Sequence, residues 1–296
     1  MAACEFVFEG VREFSLARIF ECGQAFRWRR EDDGSYTGTA GERLANIRFS
    51  PEDGACGGTV RVGQMSGAQT DGTAFWADYL DLERDYGRIR EELNKSGAAM
   101  PEITAAGEGL RILNQDFWET LLSFIVSQNN NIPRIKACID SLCRHFGREA
   151  GCFAERTYYT FPEAGTLAAL SEADLGVCRL GYRAGYIVRA ARRVAGDGGR
   201  QWLDSLRALD FRQAERALLS FHGIGPKVAG CILLFGLGKT EGFPVDVWIG
   251  RAMHRFFGVA EGDAKAARAY AETHFGQNAG FALQYLFYYM TLNKNN

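Results

Sequence analysis

Two periodicities divide the chain. Over residues 5–65 apolar and polar side chains alternate in short runs. Residues 25–29, with Ala25, Phe26 and Trp28 against Arg27 and Arg29, read as a half-buried strand, and so do 35–39, 43–49 and 59–62, with Gly, Asp or Pro between them. These predict an antiparallel sheet. A polar loop is expected at 66–71, a helical run at 75–93 and a small-residue connection at 96–109. From Asp116 the period becomes helical: Phe117, Leu121, Phe124 and Ile125 share one face, as do Ile132, Ile135, Ile139, Leu142 and Phe146. Further helices are expected near 166–177, 184–195, 200–208, 211–220, 226–236, 247–257, 263–275 and 279–291. Strands are expected only in the first hundred or so residues. The fold class is therefore α+β, an N-terminal antiparallel β-sheet domain over 1–115 followed by a mostly helical domain over 116–296.

Composition changes this picture little, and charge changes it more. The 296 residues are 47% hydrophobic and 24% charged, ordinary for a globular chain with ample core. No apolar run approaches a membrane span, and the first residues lack the layout of a signal peptide. The eight cysteines (4, 22, 56, 138, 143, 152, 178, 231) form no C-x-x-C pair, which suggests reduced thiols in a cytosol. The net charge is −2, yet it is unevenly spread. Residues 1–115 hold 13 basic and 19 acidic side chains; residues 116–296 hold 21 and 17, with a basic cluster from Arg179 to Arg200. A phosphate backbone responds to such a local field rather than to the total.

The densest chemistry lies at 218–257. An apolar run leads into Phe221-His222-Gly223-Ile224-Gly225-Pro226-Lys227, and a new apolar helix follows at once. The glycines allow a tight turn, and Pro226 suits a first helical turn. The free N–H groups of that turn, those of Gly223, Gly225 and Val228, point where a phosphate can sit. Lys227 opens the second helix; nineteen residues on, Asp246 follows Pro244-Val245 in N-cap position. By spacing alone two readings stay open: a solvated lysine with a capping aspartate, or a catalytic amine–carboxylate pair. No His/Cys/carboxylate set suggests a catalytic metal, and no cofactor is expected; a metal held by carbonyls of the turn would be structural.

Four other strings stand far from this one. They are Gly23-Gln24-Ala25-Phe26-Arg27-Trp28, Ser127-Gln128-Asn129-Asn130-Asn131-Ile132-Pro133-Arg134, Leu180-Gly181-Tyr182-Arg183-Ala184-Gly185-Tyr186, and Ala279-Gly280-Phe281-Ala282-Leu283-Gln284-Tyr285-Leu286-Phe287. Each has a plain structural reading: a glycine at a strand entrance, an asparagine capping a helix, a tyrosine packed between helices. All five together, in this order from about residue 5 to 290, resemble the 8-oxoguanine DNA glycosylase/AP lyase family of the helix-hairpin-helix (HhH-GPD) DNA glycosylase superfamily.

That resemblance implies a set of roles. Lys227 would be the nucleophile that forms a Schiff base with the sugar, and Asp246 its electrostatic partner. The Gly23 carbonyl would accept a hydrogen bond from the ring nitrogen that is protonated only in 8-oxoguanine. Cys231 and Phe287 would wall the base pocket. Asn129, Arg134 and Arg183 would face the cytosine left behind, with Tyr182 wedged into the duplex. Two positions depart from the family. Its pairing-edge Gln aligns with Leu283, leaving Gln284 one residue late, and its frequent His two residues after the Asp is Trp248. If the carbonyl alone reads the ring proton, discrimination is expected to survive Gln284→Ala. The implied partner is double-stranded DNA containing oxidised guanine, engaged by a monomer inside the cell. An endonuclease III-like glycosylase shares the Lys and Asp, but the cysteine cluster of such enzymes cannot form when the last cysteine is Cys231. An alkylated-base glycosylase usually lacks the lysine. A binding module that uses the hairpin only as a phosphate clamp needs neither group.

Overall fold

The chain begins with β1 (Cys4–Arg12) and a short helix α1 (Leu16–Phe20). Strands β2 (Arg29–Arg30), β3 (Tyr36–Ala40), β4 (Arg43–Pro51) and β5 (Gly57–Gln64) complete an antiparallel sheet ordered β1-β5-β4-β3-β2. The structure is a computed structural model that describes residues 4–52, 57–68, 70–196 and 199–293, and only the backbone of Arg200 and Asp204. Cys56 and the Arg200 side chain, both singled out in the sequence, lie outside what is described. Register places Tyr36 opposite Ile47 and Ile47 opposite Val62, so alternate residues build one apolar face. That face closes over Phe20, Trp28 and Trp76.

Helices α2 (Gly72–Tyr79), α3 (Tyr86–Asn94) and α4 (Met100–Ala106) follow. The helical part then runs through α5 (Phe117–Ser127), α6 (Ile132–Phe146), a hairpin of β6 (Glu149–Phe153) and β7 (Arg156–Tyr159), α7 (Ala164–Ala168), a 3-10 turn (Asp174–Cys178), α8 (Arg183–Ala195), α9 (Gly199–Ala208), α10 (Phe211–Leu219), α11 (Pro226–Leu237), α12 (Val247–Phe257), α13 (Ala264–His274) and α14 (Ala279–Leu292). Helices α8 to α14 fall within a residue or two of the expected ranges. Among the described residues no helix is long and apolar enough to cross a membrane.

Five expectations are corrected. Residues 25–29 form a loop, and only Arg29 of that run lies in a strand. The alternation there has another cause: Phe26 is buried in the helical core and Trp28 in the sheet core, so the loop stitches two cores together. The helical run at 75–93 breaks at 80–85, where Asp81 adopts φ +52° and its carboxylate accepts from Arg84 Nε and Tyr86 OH. The connection at 96–109 contains α4, with Pro101 in its first turn. Strands also occur beyond residue 116, in the β6–β7 hairpin, and the helix expected at 166–177 is α7 followed by the 3-10 turn.

The helical core takes in residues from well before residue 116. Cys22, Phe26, Tyr86, Ile89 and Leu93 belong to it, beside Phe124 of α5 and Phe235 of α11, whose rings stack at 5.4 Å. The loop at 21–28 is thus a seam between sheet and helices.

Candidate active site

The hairpin of α10, turn and α11 sets one side of the site. A capping box of Asp210 and Gln213 starts α10. At the bend Gly223 holds φ +86°, and a methyl there would lie 2.4 Å from the Tyr186 ring, so both backbone angle and space require glycine. Gly225 takes the N-cap position of α11 with Pro226 next. A glycine cap offers no side chain, and the backbone N–H groups of Gly223, Gly225 and Val228 donate to nothing among the described residues.

Lys227 stands in that first turn, its Nζ 5.6 Å from the centre of the Phe124 ring. Asp246 caps α12, its Oδ1 accepting from Ile249 N at 2.8 Å. Lys227 and Asp246 line a cavity of about 560 Å³ together with Gly23, Cys231, Leu283 and Phe287. Trp248 and Gln284 line it too, so every residue the sequence placed in the base pocket is at this cavity. Burial pushes the Cys231 thiol up, and nearby Lys227 opposes that. Gly23 has φ +80°, and a methyl there would meet Phe287 and Ile132 at 3.4 Å. A second groove of about 740 Å³ shares Lys227, Asp246 and Trp248 and runs past Asn129 to Arg251, whose guanidinium lies 5.4 Å from the Trp248 ring.

The two late residues of the C-terminal string are both buried, and they differ in what they do. Leu283 presents an apolar wall to the cavity. Gln284 donates through Nε2 to the Cys22 carbonyl at 3.2 Å and to Cys22 Sγ at 2.9 Å. Burial raises the Cys22 thiol to about 11, against hydrogen bonds from Gln284 and Gln24.

None of the residues expected to face the opposite strand lines that cavity, and Asn129 lies on the second groove. Asn131 caps α6, accepting from Arg134 N. Arg134 is exposed, and Asn129 adopts φ +46°. Tyr182 is 51% exposed, packs edge-on against Tyr186, and its hydroxyl accepts from Asn129 Nδ2 at 3.3 Å. Arg183 differs: it is 4% exposed, and its guanidinium donates to the carbonyls of Gln128, Asn129 and Leu180. In this conformation it braces the turn rather than projecting from it.

The sequence reading passed over Gln24 and Gln115. Gln24 is 1% exposed; its Nε2 donates to the carbonyls of Ile19 and Arg111, and its Oε1 accepts from Leu113 N. Gln115 Nε2 donates to the Gln24 carbonyl at 2.9 Å. The only signal was a glutamine inside the first string with no role of its own. Among the described residues no group of three or more His, Cys, Asp or Glu is placed to hold a metal ion.

Comparison with known proteins adds to this geometry. Residues 7–121 match the model of the 8-oxoguanine DNA glycosylase N-terminal domain, and residues 122–275 that of HhH-GPD superfamily base excision DNA repair proteins. The chain is 35% identical to the N-glycosylase/DNA lyase OGG1 of Arabidopsis thaliana, over 80% of this chain and 65% of that protein. It thus spans about two thirds of the length of the curated relatives it matches. Among solved structures it is similar to MBOgg1 in complex with a low-affinity DNA ligand, with TM-score 0.90 and 39% identity, covering 98% of this chain and 96% of that one. It is similar also to the Clostridium acetobutylicum 8-oxoguanine glycosylase/lyase in complex with double-stranded DNA containing cytosine opposite 8-oxoguanine, with TM-score 0.89 and 35% identity, covering 99% and 98%.

Proposed function

The chain belongs to the 8-oxoguanine DNA glycosylase/lyase family of the HhH-GPD superfamily, and from that membership we propose that it excises 8-oxoguanine from duplex DNA in base excision repair and then cleaves the strand. The observation that carries the reading is one cavity at which Lys227, Asp246, Gly23, Cys231 and Phe287 meet.

The target base must leave the stack to reach that cavity. There the Gly23 carbonyl accepts from the ring N–H of 8-oxoguanine, where guanine offers a lone pair and repels it. The Lys227 amine attacks the anomeric carbon; the base departs with the electrons of the glycosidic bond and takes up the proton that the attacking nitrogen releases, and ring opening with protonation of O4′ leaves a protonated Schiff base. Loss of the proton at C2′ then expels the 3′ phosphate by β-elimination. Asp246, a carboxylate at a helix N-terminus, stabilises positive charge developing on the sugar. The free amides of Gly223, Gly225 and Val228 suit a phosphate, which positions the DNA without reading it. Arg134 presents donors that suit the acceptors of an orphaned cytosine, with Tyr182 as the wedge and Asn129 and Arg183 shaping the rim. On this reading the protein acts as a monomer on intracellular DNA.

Borohydride should trap the protein on duplexes carrying one 8-oxoguanine opposite cytosine. Lys227→Gln should abolish trapping and retain lesion binding. Undiminished trapping by that variant would remove Lys227 as the nucleophile.

A further inference from the structure

The loop that carries Gly23 has an uneven distribution of hydrogen bonds. Three consecutive carbonyls, those of Cys22, Gly23 and Gln24, differ in their partners. The first accepts from Gln284 Nε2 at 3.2 Å, and the third from Gln115 Nε2 at 2.9 Å. The middle one, of Gly23, accepts from no group among the described residues. An unpaired backbone carbonyl at a cavity wall is costly unless a ligand or water completes it.

The two amides come from far apart in the chain. Gln284 lies on α14, and Gln115 directly precedes the cap of α5. Gln284 is 2% exposed and lines the cavity; Gln115 stands outside its lining. The orientation of Gln284 is set by its partners. A flipped amide would point oxygen at the Cys22 carbonyl, and Cys22 Sγ itself donates to the Ile19 carbonyl, leaving the sulfur free to accept. Gln24 locks the loop from its far side through Ile19, Arg111 and Leu113.

We propose that Gln115 and Gln284 are positioning residues that pin the carbonyls on either side of Gly23, so that the Gly23 carbonyl alone is held open toward the flipped base. The inference rests on the reading of that carbonyl as the sensor of 8-oxoguanine. It reverses the expectation that discrimination survives Gln284→Ala: the side chain acts through its donor end on the loop. Rotation of either flanking peptide would swing the Gly23 carbonyl off the ring N–H, where a hydrogen bond weakens steeply with angle.

The test compares single-turnover excision of 8-oxoguanine with cleavage of a preformed abasic site, which contains no base to recognise. Gln115→Ala and Gln284→Ala should each lower the ratio of the two rates about three- to ten-fold, the worth of one hydrogen bond. The same fold-loss is expected on 8-oxohypoxanthine, which keeps the ring N–H but lacks the exocyclic amine. Gln284→Met and Gln115→Met keep the length and remove the donor, so they should be at least as impaired. Retained activity in Gln284→Met would overturn the proposal, because it would show that no donor is needed at the Cys22 carbonyl. So would a loss in Gln284→Ala confined to 8-oxoguanine, an unchanged ratio in Gln115→Ala, or parallel falls on lesion and abasic DNA. A wild-type protein that cuts abasic DNA and spares 8-oxoguanine would overturn the substrate reading and the clamp together; failure of the clamp alone leaves wild type and variants equally active on the lesion.

Discussion

Arg134 and Arg183 look interchangeable in the sequence, two arginines expected at the same orphaned base. Their surroundings separate them. Arg134 is exposed on the first turn of α6, whereas Arg183 is buried with its guanidinium spent on three backbone carbonyls. Removing Arg183 leaves those carbonyls short of partners, at a cost of about 1–3 kcal/mol, and frees a turn that holds Asn129 at positive φ. Arg134→Ala should therefore flatten excision rates across the four opposite bases with little change in melting temperature. Arg183→Ala should lower the melting temperature and slow excision opposite all four bases together. A flattened preference in Arg183→Ala with unchanged melting would show instead that this side chain swings out to read the base. The places of Lys227 in a first helical turn and of Asp246 at a helix cap were legible in the sequence, because local spacing fixes both. Gln115 was not, since nothing local says that its amide reaches a loop ninety-one residues away.

At the scale of elements, the bend between α10 and α11 is tied to Tyr182, the N-cap residue of α8. Tyr186 packs edge-on against Tyr182 on one side and His222 on the other, with Gly223 against its ring. Gly223→Ala must displace Tyr186 and adopt a strained φ of +86°, costing about 1–2 kcal/mol for the backbone alone. Gly225, with no atom within 4 Å of an added methyl, should lose only the preference for glycine over alanine at an N-cap, roughly 0.5–1 kcal/mol. The expected result is a clearly lower melting temperature and weaker binding to damaged and undamaged duplexes alike for Gly223→Ala, and a much smaller fall in both for Gly225→Ala. Equal behaviour of the two would break the link between the turn and Tyr182. The helices from α8 onward were legible because their apolar positions repeat over three turns or so, and because Asp or Gly caps the start of α10, α11, α12 and α13. The β6–β7 hairpin was not: its turn residues Ala154 and Glu155 both take positive φ, a conformation that their side chains do not advertise. The short helix α4 hid behind alanines and a proline that also suit a loop.

At the scale of the whole molecule, the cavity exists only where sheet and helices join, and one buried ion pair fastens that seam. Arg27, in the loop at 21–28, donates to Glu119 of α5 at 2.8 Å and to the Tyr159 carbonyl of β7. Their side chains are 8% and 13% exposed. Burial raises the Glu119 carboxyl above its usual range, and Arg27 pulls it back. Removing one partner of such a pair leaves an uncompensated charge, at about 3–5 kcal/mol, whereas replacing both with apolar groups can be close to neutral. Arg27→Ala should thus be strongly destabilising, and Arg27→Met with Glu119→Leu should recover most of the loss. The pH dependence follows from the direction of the shift. A carboxyl whose folded pKa is raised binds its proton more tightly in the folded state, so its stabilising effect is greatest at low pH and lost as pH rises through the folded value. Without Arg27 the shift can only grow, so the defect of Arg27→Ala, measured by urea denaturation, should widen from about pH 5 to pH 8, and that of the double variant should not. A defect in Arg27→Ala that stays constant over this range would mean that Glu119 is solvated once its partner is gone, and that the seam is held by apolar contacts rather than by charge.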